Sequence, residues 1–280
     1  MNLNFTRLPL ISACLLAALL PTGASAFVLA VNEGATYRVT DTETQLKYKP
    51  VADDLSKLLG QKVTIVTVTD YKVLAEGLST GKYDLAYVHP AHVALKGLAV
   101  DGYKLVALTK GYTDYRAHFM VRSDSPARTA ADFKGKKLGI PSADSITSVL
   151  ARTTLHDSFK DAPDGVSYVT TRYQDAIPFM VEHGLVDVGV TGSDAVAKAW
   201  TSTGGKVAFT SKSVPVKFMI ASKGVPAAEL PVLQNYFVTP DTTDNEKGRR
   251  TLESIDKKGF VPFDAAALTA VNTWIAAGVK

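Results

Sequence analysis

The sequence contains a single cysteine, Cys14, and it lies among the first 26 residues. The rest of the chain can form no disulfide, so its stability must come from an apolar core. Beyond Ala26 no apolar run is long enough to cross a bilayer core of ~30 Å as a helix. There is no run of basic residues and no interleaving of aromatic with basic residues, which argues against nucleic acid as a partner. No His-Glu-x-x-His, Gly-x-Ser-x-Gly or phosphate-loop motif occurs, which removes the usual signatures of zinc, serine-nucleophile and nucleotide chemistry. His89 and His92 are three apart, but Pro90 lies beside them and no third ligand is evident, so no metal site is expected. No cofactor and no catalytic residue are expected.

What is present begins with an export leader. Arg7 is the only charged side chain in the first 26 residues. The apolar run Leu8 to Leu20 follows, broken by Pro9 and Ser12, and then Pro21, Thr22, Gly23 and the small-residue stretch Ala24-Ser25-Ala26. This is the pattern of a signal peptide cleaved after Ala26. Ile11-Ser12-Ala13-Cys14 also resembles a lipoprotein processing box. Cleavage there would leave a short apolar stretch before Cys14 and a long one after it, which disfavours lipid anchoring. Removing 26 of the 280 residues leaves 254, enough for one large domain or two ordinary ones. Loss of Arg7 lowers the formal charge from +4 to +3, a bias that suits an anionic ligand and suits solubility equally well.

The mature chain alternates strands and helices. Phe27 to Val31 is an apolar run that ends in Asn32-Glu33-Gly34, as a buried strand opening into a loop does. Val51, Leu55, Leu58 and Leu59 recur at helical spacing up to the stop at Gly60. Strands are expected at Lys62 to Thr69, Asp84 to Val88 and Leu105 to Thr109, with helices at Tyr71 to Leu78 and Ala91 to Leu98. The pattern then recurs: a strand from Tyr115 to Val121, a short helix at Thr129 to Gly135, and a strand from Lys137 to Ile140. A helix from Ser145 to Phe159, a strand from Val166 to Thr170, a helix from Tyr173 to His183, a strand from Val186 to Val190 and a helix from Asp194 to Trp200 complete it. This order predicts an α/β fold with doubly wound, largely parallel sheets. Asp84-Leu85-Ala86-Tyr87 and Asp187-Val188-Gly189-Val190 look like equivalent strands of two lobes. Arg116 to Val121 and Val216 to Ile220 both place Phe-Met before an aliphatic residue, and are expected to be adjacent strands through which the chain leaves one lobe and returns. The expected division is a leader at 1–26, lobe 1 at 27–113 plus 215–280, and lobe 2 at 114–214. A two-strand hinge between such lobes makes a closing cleft.

The same elements resemble a type II periplasmic solute-binding protein of an ABC importer, and within that group the phosphate, phosphite and phosphonate binders. The resemblance rests on Lys47 to Lys57 with Lys62-Val63-Thr64-Ile65, Gly81 to Pro90, Ala131-Asp132-Phe133-Lys134-Gly135 through Pro141, Asp144-Ser145-Ile146-Thr147-Ser148, and Gly184 to Val190. It covers essentially all of the mature chain. It implies a periplasmic protein that binds a small anion, delivers it to an inner-membrane ABC permease, turns nothing over and works as a monomer. The chain departs from the phosphonate pattern twice. Ser145-Ile146-Thr147-Ser148 replaces a Ser-Thr-Ser-Gly stretch, and Thr171-Arg172-Tyr173-Gln174-Asp175 stands where a histidine-bearing turn is common.

Candidate ligand residues follow the strand ends, where open α/β sheets bind their ligands. Ser145, Thr147 and Ser148 open a helix, whose unpaired N–H groups and partial positive charge suit an oxyanion. Helix capping alone also accounts for a serine there. Tyr87 and His89 end a lobe 1 strand, with a core tyrosine and a satisfied loop histidine as the competing account. Tyr37 and Arg38 follow the first strand, and Arg38 can grip an anion bidentately or simply be solvated. Thr191, Ser193 and Asp194 follow a lobe 2 strand. Asp194 can accept a proton from a hydrogen-phosphate, which would favour a protonated oxyanion over sulfate, or from an amine on the ligand, or it can serve a helix start. Tyr173 and Gln174 start the preceding helix, and Gln174 can stand in for the family's histidine. Arg116 and His118 on the hinge strand can touch ligand, but the structural role is the favoured reading. Two other functions remain open at this point: a ligand sensor feeding a histidine kinase or chemoreceptor, and an exported hydrolase or transferase.

Overall fold

The computed structural model describes residues 26–34, 40–159, 165–238, 246–255 and 259–278. The leader with Cys14, and Tyr37 and Arg38, lie outside the described residues. The first stretch runs β1 (Phe27–Val31), α1 (Asp41–Leu59), β2 (Val63–Thr67), α2 (Tyr71–Ser79), β3 (Leu85–Val88), α3 (Ala91–Ala99) and β4 (Lys104–Thr109). The second runs β5 (His118–Val121), a 3-10 turn at Ala130–Phe133, β6 (Lys137–Ile140), α4 (Ile146–Ser158) and β7 (Ser167–Thr170). It continues through a 3-10 turn at Gln174–Ala176, α5 (Ile177–Glu182), β8 (Val188–Thr191), α6 (Asp194–Ser202) and β9 (Lys206–Thr210). The chain ends in β10 (Phe218–Ala221), α7 (Glu229–Val238), α8 (Glu246–Ile255), β11 (Phe260–Val261) and α9 (Ala265–Gly278).

The strands form two sheets, β11-β4-β10-β3-β1-β2 and β7-β6-β8-β5-β9. In each, three parallel strands stand beside one antiparallel strand, β10 in the first sheet and β5 in the second. This corrects the expectation that the two Phe-Met segments are adjacent strands. They occupy the same slot in different sheets, and Phe119 pairs with Val190 whereas Phe218 pairs with Val88. The chain crosses between sheets just before each of them, at an antiparallel bridge between Tyr115 and Val214. The repeated aspartates are equivalent too. Asp84 Oδ2 accepts from the Val28 N–H and Asp187 Oδ2 from the Lys137 N–H, both at 2.8 Å, so each ties its strand to the central parallel neighbour.

Strand alternation divides the core of the first sheet. Leu29, Val31, Leu85 and Tyr87 face α1, α7 and α8, whereas Ala30, Ala86 and Val88 face α2 and α3. Each fully buried Leu or Val contributes about 1.5–3 kcal/mol. The second cluster does not stop at the sheet. It runs on through Ile146, Val149 and Leu150 of α4 and Leu268 and Ile275 of α9, so the last helix packs on α4 and on α3 together.

Local chemistry sets most boundaries. Thr40 and Glu43 form a reciprocal capping box at the start of α1, and Gly60 ends it at φ 64°, a left-handed conformation that glycine adopts without strain. Tyr173 to His183 is not one helix. Pro178 lacks an N–H and is tolerated only in a first turn, so α5 starts afresh at Ile177 after the 3-10 turn. The segment expected as a helix at Thr129 to Gly135 is a single 3-10 turn, and β9 was not expected. Among the described residues no helix is long and apolar enough to cross a membrane.

Candidate functional site

Strand direction brings the chemistry to one edge of each sheet. β1, β3 and β4 all end where the antiparallel β10 begins, so Asn32, Glu33, His89, Thr109 and Lys217 share an edge of the first sheet. In the second sheet β6, β7 and β8 end where β5 begins, which gathers Ser145, Gln174, Thr191 and His118. Tyr115, at the crossing, joins the two edges. Its ring meets that of His89 edge-on, with centroids 6.4 Å apart, and its hydroxyl lies 2.7 Å from that of Thr147. It also hydrogen-bonds Gln174. A loop of the first sheet and a helix start of the second therefore converge on one side chain.

On the second-sheet side the hydroxyls are engaged with one another. Ser145 caps α4 by accepting from the Ser148 N–H, and donates to the Ser148 hydroxyl, which donates in turn to the Pro141 carbonyl. Ser145, Thr147 and Ser148 are all buried. The Gln174 Oε1 accepts from Thr191 Oγ1 and from the Gly192 N–H, and Thr191 accepts from the Ser193 N–H. Ser193 caps α6. Gly192 is required by close approach, since a Cβ there would lie 1.8 Å from the Tyr115 hydroxyl. Asp194 points to solvent, its side chain 94% exposed, and bonds the His118 ring at 2.8 Å. Tyr173 is half-buried beside Arg172, and Arg116 pairs with exposed Asp114.

On the first-sheet side the centre is Glu33, which sequence reasoning passed over. Its Oε1 accepts from Lys47 at 2.7 Å and Tyr48 at 2.8 Å, and its Oε2 accepts from Lys217 at 3.0 Å. Burial pushes the Glu33 pKa up, but Lys217, Lys47 and Tyr48 outweigh it and hold the carboxyl at about 2. Lys217 stands 4.2 Å from the Tyr112 ring centre and 5.8 Å from that of Tyr87. Burial disfavours its charge, yet Tyr87, Glu33 and Tyr112 keep its pKa above the ordinary lysine range. Tyr87 is buried, with its hydroxyl 3.1 Å from that of Thr109 and its ring 5.5 Å from that of Tyr48. His89 is buried and held neutral, its pKa lowered to about 3 by burial and by Lys217 nearby.

The structure thus brings His89 and Thr147 to Tyr115, gathers Gln174 and Thr191 beside it, and places Tyr87 in the Glu33–Lys217 cluster. It leaves Asp194 and Tyr173 at the margin. The residues that sequence reasoning missed are Glu33, Lys217, Tyr112 and Tyr115. One signal pointed to Lys217: it is the lone charge in Val214 to Ala221, a stretch otherwise apolar. A charge in a buried apolar segment costs several kcal/mol unless it is paired, which marks such a residue for scrutiny.

Comparison with known proteins bears on the family and the fold. The family model described as "ABC transporter, phosphonate, periplasmic substrate-binding protein" matches residues 34–268. A phosphate-import protein PhnD of Mycolicibacterium smegmatis is 24% identical over 272 residues, spanning 90% of this chain and 82% of that protein. The structure of XAC2383 from Xanthomonas citri bound to ATP superposes with a TM-score of 0.72 at 17% identity, covering 91% of this chain and 98% of that one. PhnD1 from Prochlorococcus marinus in complex with methylphosphonate gives 0.65 at 13% identity, covering 88% and 96%. These likenesses to solved structures concern the fold, which is the two-lobed α/β architecture of type II periplasmic binding proteins.

Proposed function

The chain belongs to the periplasmic substrate-binding proteins of phosphonate ABC transporters, and from that premise we propose that its two sheets close on a small phosphorus oxyanion of the phosphate, phosphite or phosphonate class. Membership carries a small ligand, a membrane permease as partner and a periplasmic setting. It also makes the protein a binder rather than an enzyme, and gives the sensing alternative no support. In our reading the leader is cleaved after Ala26 and the protein acts as a monomer. Lobe 1 comprises 27–113 and 215–280, and lobe 2 comprises 114–214. The bridge between Tyr115 and Val214 supports those boundaries, because it lies where the chain passes between sheets.

The observation that carries this reading is the convergence on Tyr115 of His89 from one sheet and Thr147 from the other. A ligand seated there would receive the first-turn N–H groups of α4 that the Ser145 cap does not already take, since these have no acceptor within the helix, and the Thr147 hydroxyl. Ser145 and Ser148 would hold that turn in shape. Gln174, Thr191 and Ser193 would line the second-sheet wall, His89 and Tyr87 the first-sheet wall. Tyr37 and Arg38, which lie outside the described residues, are proposed from their sequence position alone, and Tyr173 and Asp194 would form the rim. The M. smegmatis relative carries phosphate import in its name and the P. marinus structure holds methylphosphonate, which supports the ligand class.

A thermal-shift screen of phosphate, phosphite, methylphosphonate and sulfate tests the reading. A ligand present at 100 times its Kd adds about 2.7 kcal/mol of stability. At least one phosphorus oxyanion is expected to raise the melting temperature well above the effect of sulfate. If sulfate alone shifts it, or none of the four does, the ligand class is wrong.

A further inference from the structure

Glu33 and the groups around it form an unequal ion cluster. One carboxylate faces two ammonium groups, Lys47 and Lys217. Lys47 is a sufficient partner for Glu33, since it approaches at 2.7 Å with Tyr48 on the same oxygen. Lys217 then adds a positive charge that pairing Glu33 does not require. Its side chain is only 9% exposed, and burying an ammonium costs several kcal/mol even when paired. A structural ion pair in such a place does no better than an apolar contact, so a surplus buried charge marks a functional group. Its place fits that role. Lys217 immediately precedes β10, at the sheet edge where β1, β3 and β4 end, and it lies close enough to His89 to depress that histidine's pKa. An ammonium has three donors. Glu33 takes one, and the Tyr112 ring covers one side.

We propose that Lys217 is the charge partner of the bound anion, and that it makes the site selective for oxyanions that carry no ammonium of their own. This rests on the phosphorus-oxyanion reading above and deepens it. Glu33 holds the Lys217 ammonium in place. When an anion arrives, the cluster carries one net positive charge toward it. A zwitterionic ligand such as an aminoalkylphosphonate brings a second ammonium into the same small space, where Lys217 repels it. Specificity of this kind arises from the repulsive element as much as from the attractive one.

Calorimetric titration of the full mature protein with methylphosphonate, ethylphosphonate and aminomethylphosphonate tests this, the last two being matched in shape and differing in charge. Wild type is expected to bind ethylphosphonate at least about tenfold more tightly than aminomethylphosphonate, as like charges a few ångströms apart in a partly buried site require. Lys217→Gln is expected to weaken methylphosphonate binding at least about tenfold and to bring the matched pair within about threefold of one another. Lys217→Arg, which keeps the charge, is expected to preserve the discrimination. Equal wild-type affinity for the matched pair overturns the proposal without any variant. So does a folded Lys217→Gln protein that binds methylphosphonate as wild type does, and this comparison decides the matter if neither larger ligand binds. A wild type that binds sulfate but no phosphorus anion defeats the ligand class instead, and so separates the two failures.

Discussion

Replacing Gly192 with alanine tests the junction on which the proposed site depends. The added methyl would lie 1.8 Å from the Tyr115 hydroxyl oxygen, 2.2 Å from Cζ and 2.7 Å from Cε1. Ordinary carbon contacts begin near 3.5 Å, so the tyrosine must withdraw by well over an ångström. That movement breaks the 2.7 Å contact with Thr147 and the bond to Gln174. Overpacking costs about 1–3 kcal/mol, and two lost hydrogen bonds add about 1 kcal/mol each. Alanine returns about 0.4–1 kcal/mol by restricting the unfolded chain. The net loss is about 2–4 kcal/mol, which in a protein of this size lowers the melting temperature by roughly 5–15 °C. Tyr115→Ala removes the obstacle at its own cost, so the double variant must recover part of the Gly192→Ala loss, with a coupling of about 1–3 kcal/mol. Urea denaturation of the four proteins measures that coupling. Additivity within about 0.5 kcal/mol would mean that Tyr115 does not lie against Gly192, and the convergence argument would fail with it.

Other expectations follow from the same geometry. Thr147→Val keeps the shape of the side chain but removes its hydroxyl; it is expected to weaken phosphorus-oxyanion binding roughly tenfold or more, the worth of one hydrogen bond to a charged group. Unaltered affinity by calorimetry would take Thr147 out of the site. Acidification should destabilise the protein in two stages, readable by calorimetric melting from about pH 7 to about pH 2. His89 and His92 have pKa values lowered from 6.5 to about 3 and about 4, chiefly by burial. Their neutral forms contribute stability that is complete above 6.5 and is lost as pH falls toward those values. Glu33, lowered from 4.5 to about 2, contributes stability that is complete above 4.5 and is lost as pH falls toward 2. A melting temperature that stays level between about pH 7 and about pH 4 would contradict the burial of the two histidines.

The parts of the fold that were legible in the sequence are those fixed over a few residues. Gly60 announced the end of α1, the stretch Tyr71 to Leu78 read as a helix that the structure shows capped by the Asp70 carboxylate on the Lys72 and Val73 N–H groups, and the run Leu85 to Val88 read as a strand, which the structure buries on both faces. β9 escaped notice because all five of its residues are half-buried, so neither alternation nor a continuous apolar run betrayed it. The Phe-Met resemblance was real, but likeness in sequence records the same slot in a repeated architecture and says nothing of pairing. That distinction also separates the legible from the hidden part of the candidate site. Ser145 and Thr147 could be read because a helix start is a local event with a local signature. Glu33 and Lys217 could not, because 184 positions separate them and their contact depends on a strand that returns antiparallel after a whole second sheet has been built. The physical clue to such a pair is the cost of the lone lysine in Val214 to Ala221. A chain keeps an ammonium in a buried apolar segment only where something stabilises it or uses it, and Glu33, already served by Lys47, accounts for the first without exhausting the second.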